Sequence, residues 1–382
     1  MDKEVIDGRL GKIIVYKEIP VMPAQGLLSP KDGVWFKGGP IWPDWENEPF
    51  VRHFVNVRQL VDTKPDYVQP EEVLEGPLAW GGAIHQQYGH FIADVCIPRL
   101  PPILSEFPDI TFCFIIQPSL KELKPWMKEI FDYFEVKSFI IIRKPVIITK
   151  LYAGPQIERL FSGIFDDKYL EPYLDYLDEI VKVKVKPLSG QIYERIFVSR
   201  AKFPNRARIV GENYLCKLFE ENGFKVIYPE ELPVLEQLRI YYNAKQMVFT
   251  EGSALHTLQL LGRLNSEIIV INRRNKAKIA NRQLNYRVQK ISYVDTVLNN
   301  EPSIPFIKAL LPTFVDINLL VKELSKKGIN LIGYNEKDAI KYMSEDLADI
   351  INYHKNSRLP FSEDIYNYII SEAKRLNLLV RT

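Results

Sequence analysis

Gln246-Met247-Val248-Phe249-Thr250-Glu251-Gly252-Ser253-Ala254-Leu255-His256 decides how this chain folds. An apolar run stops at a Glu-Gly-Ser turn, and a helix-like stretch over 254–262 follows at once. That is a strand, a tight turn and a helix start, the junction found at the carboxyl end of a strand in an α/β sheet, where ligands bind. A helix start offers unpaired N–H groups and the positive end of a dipole, which suits a phosphate. Gly252 allows close backbone approach, and Ser253 is predicted to be the N-cap. The plain alternative is an ordinary strand–helix turn with a capping serine.

Outward from this stretch the pattern stays regular. Strands are predicted over 195–200, 224–228, 246–250 and 267–272, with helices over 213–222, 234–243 and 254–262, which describes a Rossmann-like half. No GxGxxG follows the first strand and there is no Walker loop, so a standard NAD or P-loop site is disfavoured. The first strand ends in Ser199-Arg200, and a basic loop with Arg206 and Arg208 follows. In a parallel sheet that loop and the Glu251-Gly252-Ser253 turn face one crevice. Arginine grips phosphate bidentately there. A solvated surface loop is the alternative.

The amino half is less regular. Residues 1–75 read as loops with short strands over 12–16 and 50–57, and Trp35, Trp42 and Trp45 either line a sugar-stacking surface or pack under those loops. Gly81-Gly82 are predicted to turn after a short strand. A helix then starts near Tyr88 or His90, interrupted by Pro98 and ended by Pro101-Pro102. His90 and Asp94, four apart, share a face and are candidates for proton transfer; a capping histidine beside a solvated Asp is the alternative. Strands over 111–116, 138–142 and 146–148 and helices over 123–134 and 157–184 give a β-α-β alternation. The Lys-, Pro- and Gly-containing stretch 182–190 puts a domain boundary near 187. Helices over 317–327, 337–353 and 362–379 form a tail.

Composition narrows the classes. With 382 residues and 46% apolar content, two or three domains are expected. A net charge of +2 argues against a nucleic-acid binder. The 3 cysteines are far apart without a CxxC pair, which suggests neither a zinc site nor a disulfide framework and fits a reducing, intracellular compartment. The amino terminus lacks signal-peptide character, and no apolar run reaches the ~18 residues needed to cross a bilayer. Any membrane association is therefore expected to be peripheral.

Phe197-Val198-Ser199-Arg200, Glu212-Asn213, Gly223-Phe224, Pro229-Glu230-Glu231-Leu232, Glu236-Gln237, Ala244 and 250–255 together resemble glycosyltransferase family 61. Upstream, Tyr88-Gly89-His90-Phe91-Ile92-Ala93-Asp94 and Pro98-Arg99-Leu100 resemble the motif of the family's amino half, so the similarity spans roughly 78–275. The resemblance implies a GT-B-like α/β fold: two Rossmann-like domains facing across a cleft, here an acceptor-side domain over 1–187 and a donor-binding domain over 188–310, with a helical tail over 311–382. It also implies an inverting mechanism, no metal, no cofactor beyond the nucleotide-sugar donor, and a glycan or lipid-linked acceptor. The chain departs from many relatives at two positions, with Glu251 where they have His and Asp94 where they have Glu.

Inverting transfer needs a base for the acceptor hydroxyl and positive charge for the leaving diphosphate. Asp94 is the preferred base, with His90 as rival or orienting partner. Arg200, Arg206 and the N–H groups after Gly252, those of Ser253 and Ala254, are expected to hold the diphosphate. Glu251 is expected to accept a ribose or sugar hydroxyl. His256 faces a phosphate or the donor sugar, or is a buried core histidine. His85 is a weaker candidate, and His53 and His354 have no supporting context. The rivals are a polysaccharide pyruvyltransferase or sugar-nucleotide epimerase on a similar fold, and a non-catalytic nucleotide- or glycan-binding assembly protein. The resemblance also suggests surface-polysaccharide (capsule) synthesis at the cytoplasmic face of a membrane. The tail, with Tyr366, Tyr368, Ile369 and Ile370, is most simply read as packing back on the domains, with homodimerisation or membrane contact as alternatives.

Overall fold

The computed structural model describes residues 3–26, 36–46, 49–187, 189–203, 207–300, 310–357 and 361–378; Trp35 and Arg206 fall outside them. Two sheets organise the chain. The carboxyl-side sheet has five strands in the order Lys225–Ile227, Arg195–Val198, Gln246–Thr250, Glu267–Ile271, Lys290–Val294. All its pairings are parallel. Its central strands are short, almost wholly buried apolar runs, as expected where helices cover both faces. From the Arg195 strand the chain steps first to the Lys225 strand on one side, then to the Gln246 strand on the other. The order reverses between those two central strands, and a crevice opens at their carboxyl ends. The Lys290 strand extends the predicted sheet.

Between the strands run Glu212–Glu221 and Val234–Asn243, close to the predicted helices, and then Ser253–Leu260, which winds as a 3-10 helix. The three tail helices, Ile317–Ser325, Glu336–Asn356 and Ser362–Arg375, lay Ile317, Leu320, Leu347, Ile350 and Ile369 against Phe197, Leu215 and Phe219. Asp346 from the second of them accepts the Gly211 N–H at 2.9 Å, so the tail fixes the start of the Glu212 helix.

The amino-side sheet is mixed. Val146–Ala153, Leu78–Ile84, Thr111–Ile116 and Phe139–Ile142 run parallel, and the long hairpin Lys3–Gly8/Gly11–Met22 joins antiparallel along Val146–Ala153. Several local expectations change here. Gly81 and Gly82 sit inside a strand, at a register shift between Trp80 and Ala83. A Cβ on Gly81 would lie 2.0 Å from the Phe114 ring, and Gly82 has φ +92°. These glycines shape a bulge, which a turn signal resembles in sequence. Pro101 and Pro102 open the helix Leu100–Leu104, because proline fits a first turn. The predicted strand over 50–57 is a 3-10 turn, Pro49–Val51, and a loop, while the predicted helix over 157–184 begins only at Leu170 after a hairpin. Trp42 and Trp45 are buried, beside Tyr16 and under the Arg52 guanidinium.

One apolar core runs through both sheets, from Leu10 and Phe91 to Leu255 and Leu284. It is fastened by a buried bidentate pair, Arg287 Nη1 and Nη2 to Glu158 Oε1 and Oε2 at 2.7 and 2.9 Å, with the Tyr173 hydroxyl donating to Glu158 at 3.0 Å. Among the described residues no helix is long and apolar enough to cross a membrane. The three cysteines are buried free thiols.

Candidate active site

Arg200 and Gly252 meet at the reversal point of the carboxyl-side sheet. A Cβ on Gly252 would lie 2.5 Å from Arg200 Nη1, so any larger residue would push the guanidinium from this position. The backbone there is extended (φ 178°), and the glycine serves clearance, not a left-handed turn. Arg200 is braced through Nε to the Ala207 carbonyl at 3.0 Å. Beneath it the buried Glu212 carboxylate accepts from Arg200 N–H (2.6 Å), Ser199 Oγ (2.9 Å), Thr250 Oγ1 (2.7 Å) and Ile209 N–H (3.1 Å). One carboxylate thus pins both strand ends.

Ser253 is the first residue of the 3-10 helix, with Gly252 at the cap position and no side-chain cap, which corrects the N-cap expectation. The helix's Leu255 N–H bonds the Gly252 carbonyl at 3.2 Å, so the N–H groups of Ser253 and Ala254 precede the helical ladder. Both residues are half-buried at the crevice.

Glu251, expected to face a sugar hydroxyl, turns inward and is wholly buried. Its Oε2 accepts the N–H groups of Arg273 and Arg274 at 2.8 and 3.0 Å, and its Oε1 accepts Arg274 Nε at 2.6 Å. Arg273 Nε in turn donates to the Glu251 carbonyl at 2.6 Å. Glu251 therefore builds a second arginine pair at the end of the neighbouring strand. Burial, and then the adjacent Arg200 charge, push the Arg273 guanidinium down to about 9. Three guanidiniums, of Arg200, Arg273 and Arg274, thus crowd one sheet edge, an arrangement that an anion relieves. Arg273 and Arg274 are absent from the predicted set, although they follow a strand end just as Arg200 does. Glu230, which feels the Arg200 charge, is raised by burial.

On the amino side Asp94 lies in a π-turn, Phe91–Val95, a rare helix form that recurs at functional sites. Its side chain is fully buried. Oδ1 meets His53 Nε2 at 2.7 Å and Oδ2 meets His90 Nδ1 at 3.4 Å. Burial alone would raise this carboxyl; the charge and hydrogen bond of His53, then those of His90, outweigh it and hold it below the ordinary carboxylate value. The His90 side chain is 35% exposed, and the His85 ring stands edge-on to it at 5.1 Å. Burial pushes both His85 and His256 down to about 4, so both are neutral at pH 7. Four of the chain's 5 histidines gather here. Among the described residues no three His, Cys, Asp or Glu side chains group as a metal site.

The two clusters meet along one turn. A Cβ on Gly89 would lie 3.0 Å from His256 Cδ2 and 3.3 Å from Ser253 Cβ, and Tyr88 OH bonds Thr257 Oγ1 at 2.8 Å. His256 Nδ1 is paired with Gln259 Oε1 at 2.6 Å. The turn after Gly252 thus has Arg200 on one side and the His90 turn on the other. Of the predicted residues, Asp94, His90, Arg200, Gly252, Ser253, Ala254 and His256 are brought to this junction, and Glu251 backs it from beneath.

The chain is an α/β protein whose parallel sheet carries arginines at its reversal point, facing a histidine–carboxylate cluster. Residues 88–263 match the family model described as Glycosyltransferase 61. Over that stretch, a little under half of the chain, the sequence is similar to glycosyltransferase family 61, and the likeness supports a glycosyltransferase. No curated protein matches it.

Proposed function

We propose that the chain is an inverting, metal-independent enzyme that moves a sugar from a nucleotide-sugar donor to a glycan or lipid-linked acceptor in surface-polysaccharide synthesis. The observation that carries this reading is the Ser253–His256 turn, which touches the arginine cluster and the His90 turn at once. Arg200, with Arg273, Arg274 and the N–H groups of Ser253 and Ala254, holds the leaving diphosphate. His90 is the base. Asp94 is wholly buried and held ionised by two imidazoles, so it orients His90 and stabilises the imidazolium, whereas His90 reaches solvent. The acceptor oxygen attacks the anomeric carbon as its proton passes to His90, and the C–O bond to the diphosphate breaks with its electron pair on the leaving group. In this reading the two sheets are a GT-B-like pair, acceptor side over 1–187 and donor side over 188–310, with 311–382 packed on the donor side. The enzyme works at the cytoplasmic face of a membrane.

A thermal-shift panel of nucleoside diphosphates and nucleotide sugars without added metal, on wild type and Arg200→Ala, tests the donor side. A ligand at 100 times its Kd adds about 2.7 kcal/mol. One nucleoside diphosphate should stabilise the wild type and lose its effect in the variant. A shift with phosphoenolpyruvate alone would instead indicate pyruvyl transfer.

A further inference from the structure

We infer that His53, which precedes the family-matched region, is a positioning residue of the transfer site: it clamps Asp94 so that His90 keeps its proton on Nδ1 and offers Nε2 as the base. The inference rests on the reading of His90 as the base.

The geometry around Asp94 is asymmetric. His53 is nearly inaccessible and bonds Oδ1 at 2.7 Å, a charge-assisted distance, while His90 is partly exposed and stands 3.4 Å from Oδ2. A carboxylate only accepts, so both facing ring nitrogens carry hydrogens. The short bond anchors the carboxylate on the inner side. The long one is free to tighten as positive charge develops on His90, as catalytic hydrogen bonds do when the reacting state forms.

The main chain around His53 is held in turn: the backbone N–H of His53 donates to Asp62 Oδ2 at 3.2 Å, and Asp62 is paired with the buried Arg52 at 3.2 Å. Arg99 Nη2 donates to the Arg52 carbonyl at 2.8 Å. Gln156 accepts the Phe54 N–H at 3.0 Å through Oε1 and donates Nε2 to the Asp94 carbonyl at 3.0 Å, tying the His53 loop to the π-turn. A buried ion pair contributes little net stability once its desolvation is counted, so stabilisation alone is a poor reason for this arrangement. An orienting pair that opens to solvent only through His90 is a better one. Asp94 is the charge hydrogen-bonded to His90 Nδ1 that biases its tautomer. The nearby rings of His85 and His256 are neutral at pH 7, and Lys124, near His85, is bonded to the Gln86 carbonyl at 3.0 Å.

The test uses the full chain with His53→Leu, His53→Gln and wild type. Two-bond nitrogen–proton NMR of the imidazoles reads the His90 tautomer directly. The Nδ1–H form should dominate in wild type and in His53→Gln, whose amide reaches Asp94, and give way to a tautomer mixture in His53→Leu. With the nucleotide sugar found by the panel above, kcat should fall about 10²-fold in His53→Leu, as for a misplaced catalytic group, with donor KM unchanged, and recover in His53→Gln. If His53→Leu does not fold, His53→Asn, whose shorter amide falls short of Asp94 Oδ1, carries the same comparison. A His90 tautomer indifferent to residue 53 overturns the inference, whatever the panel gives. A panel in which no nucleotide binds while the tautomer still follows residue 53 overturns the donor reading and leaves the positioning role standing.

Discussion

Asp94 and Glu251 are both wholly buried carboxylates at the centre of a cluster, yet they are satisfied in different currencies. Asp94 takes two imidazoles, and Glu251 takes two backbone N–H groups and a guanidinium. An imidazole changes charge near neutral pH, whereas a guanidinium keeps its charge throughout. The first cluster is therefore suited to move a proton, and the second to hold fixed positive charge. The proposed transfer needs both, and the fold keeps them on opposite sides of the turn after Gly252. That separation predicts that each cluster can be disabled without the other.

The largest effect should come from His90→Gln. Transfer should fall by about 10²–10⁴-fold, the usual weight of a general base, while nucleoside diphosphate binding measured by calorimetry stays as in wild type. Loss of binding as well would mean that the clusters are not separable. Next is the fastening between the sheets. Glu158→Ala leaves Arg287 buried and unpaired and should cost about 3–5 kcal/mol in denaturant unfolding. A cost below 1 kcal/mol would mean that water reaches the pair. Arg200→Ala should weaken nucleoside diphosphate binding by about 1.5–3 kcal/mol, the loss of a charged hydrogen bond, and leave the His90 tautomer untouched. An altered tautomer would couple the two clusters directly.

These regions were not equally legible in the sequence. The carboxyl-side strands are short apolar runs cut off by turn residues, so their succession along the chain follows from pattern, and the crevice follows from it once the sheet is parallel. The lateral order comes from the fold, and Lys290–Val294, with Lys290, Ser292 and Tyr293 diluting its apolar content, escapes the pattern. The Gly11–Met22 strand is predicted only over 12–16, because Lys17, Glu18 and Pro20 interrupt the pattern. The observed pairing with Val146–Ala153 overrides them. Spacing places His90 and Asp94 together because both sit on one turn. No spacing rule joins His53 to a carboxylate 41 residues away, and only the fold does so. Glu251 shows a further limit. Its residue type suggests a hydroxyl acceptor, but the direction of its side chain is set by the N–H groups of the next strand's end. The rule that picks out Arg200, an arginine just past a strand, also picks out Arg273 and Arg274 once applied to the Glu267 strand.

The smallest effect separates the clusters by pH. His85 and His256 are pushed down to about 4 by burial, against an ordinary 6.5. Between those values the unfolded chain binds a proton on each that the folded chain refuses, so stability rises with pH and is lost on acidification from about 6.5 towards 4. Each contributes a slope of about 1.4 kcal/mol per pH unit. His354, also lowered by burial, adds a slope of the same sign. Asp94 acts in a different window: its depressed carboxyl contributes stability above the ordinary value of 3.8, which is lost only below it. The arginines contribute nothing between 4 and 6.5, since even Arg273 at about 9 stays charged. Denaturant unfolding of His256→Gln at pH 4.5, 5 and 5.5 should therefore show a pH slope shallower than wild type by up to about 1.4 kcal/mol per unit. An unchanged slope would mean that folded His256 accepts a proton in this range, which requires water or an anion beside Gly89. The junction would then already be open to the leaving group's charge in the free protein, and the division of labour between the clusters would not be strict.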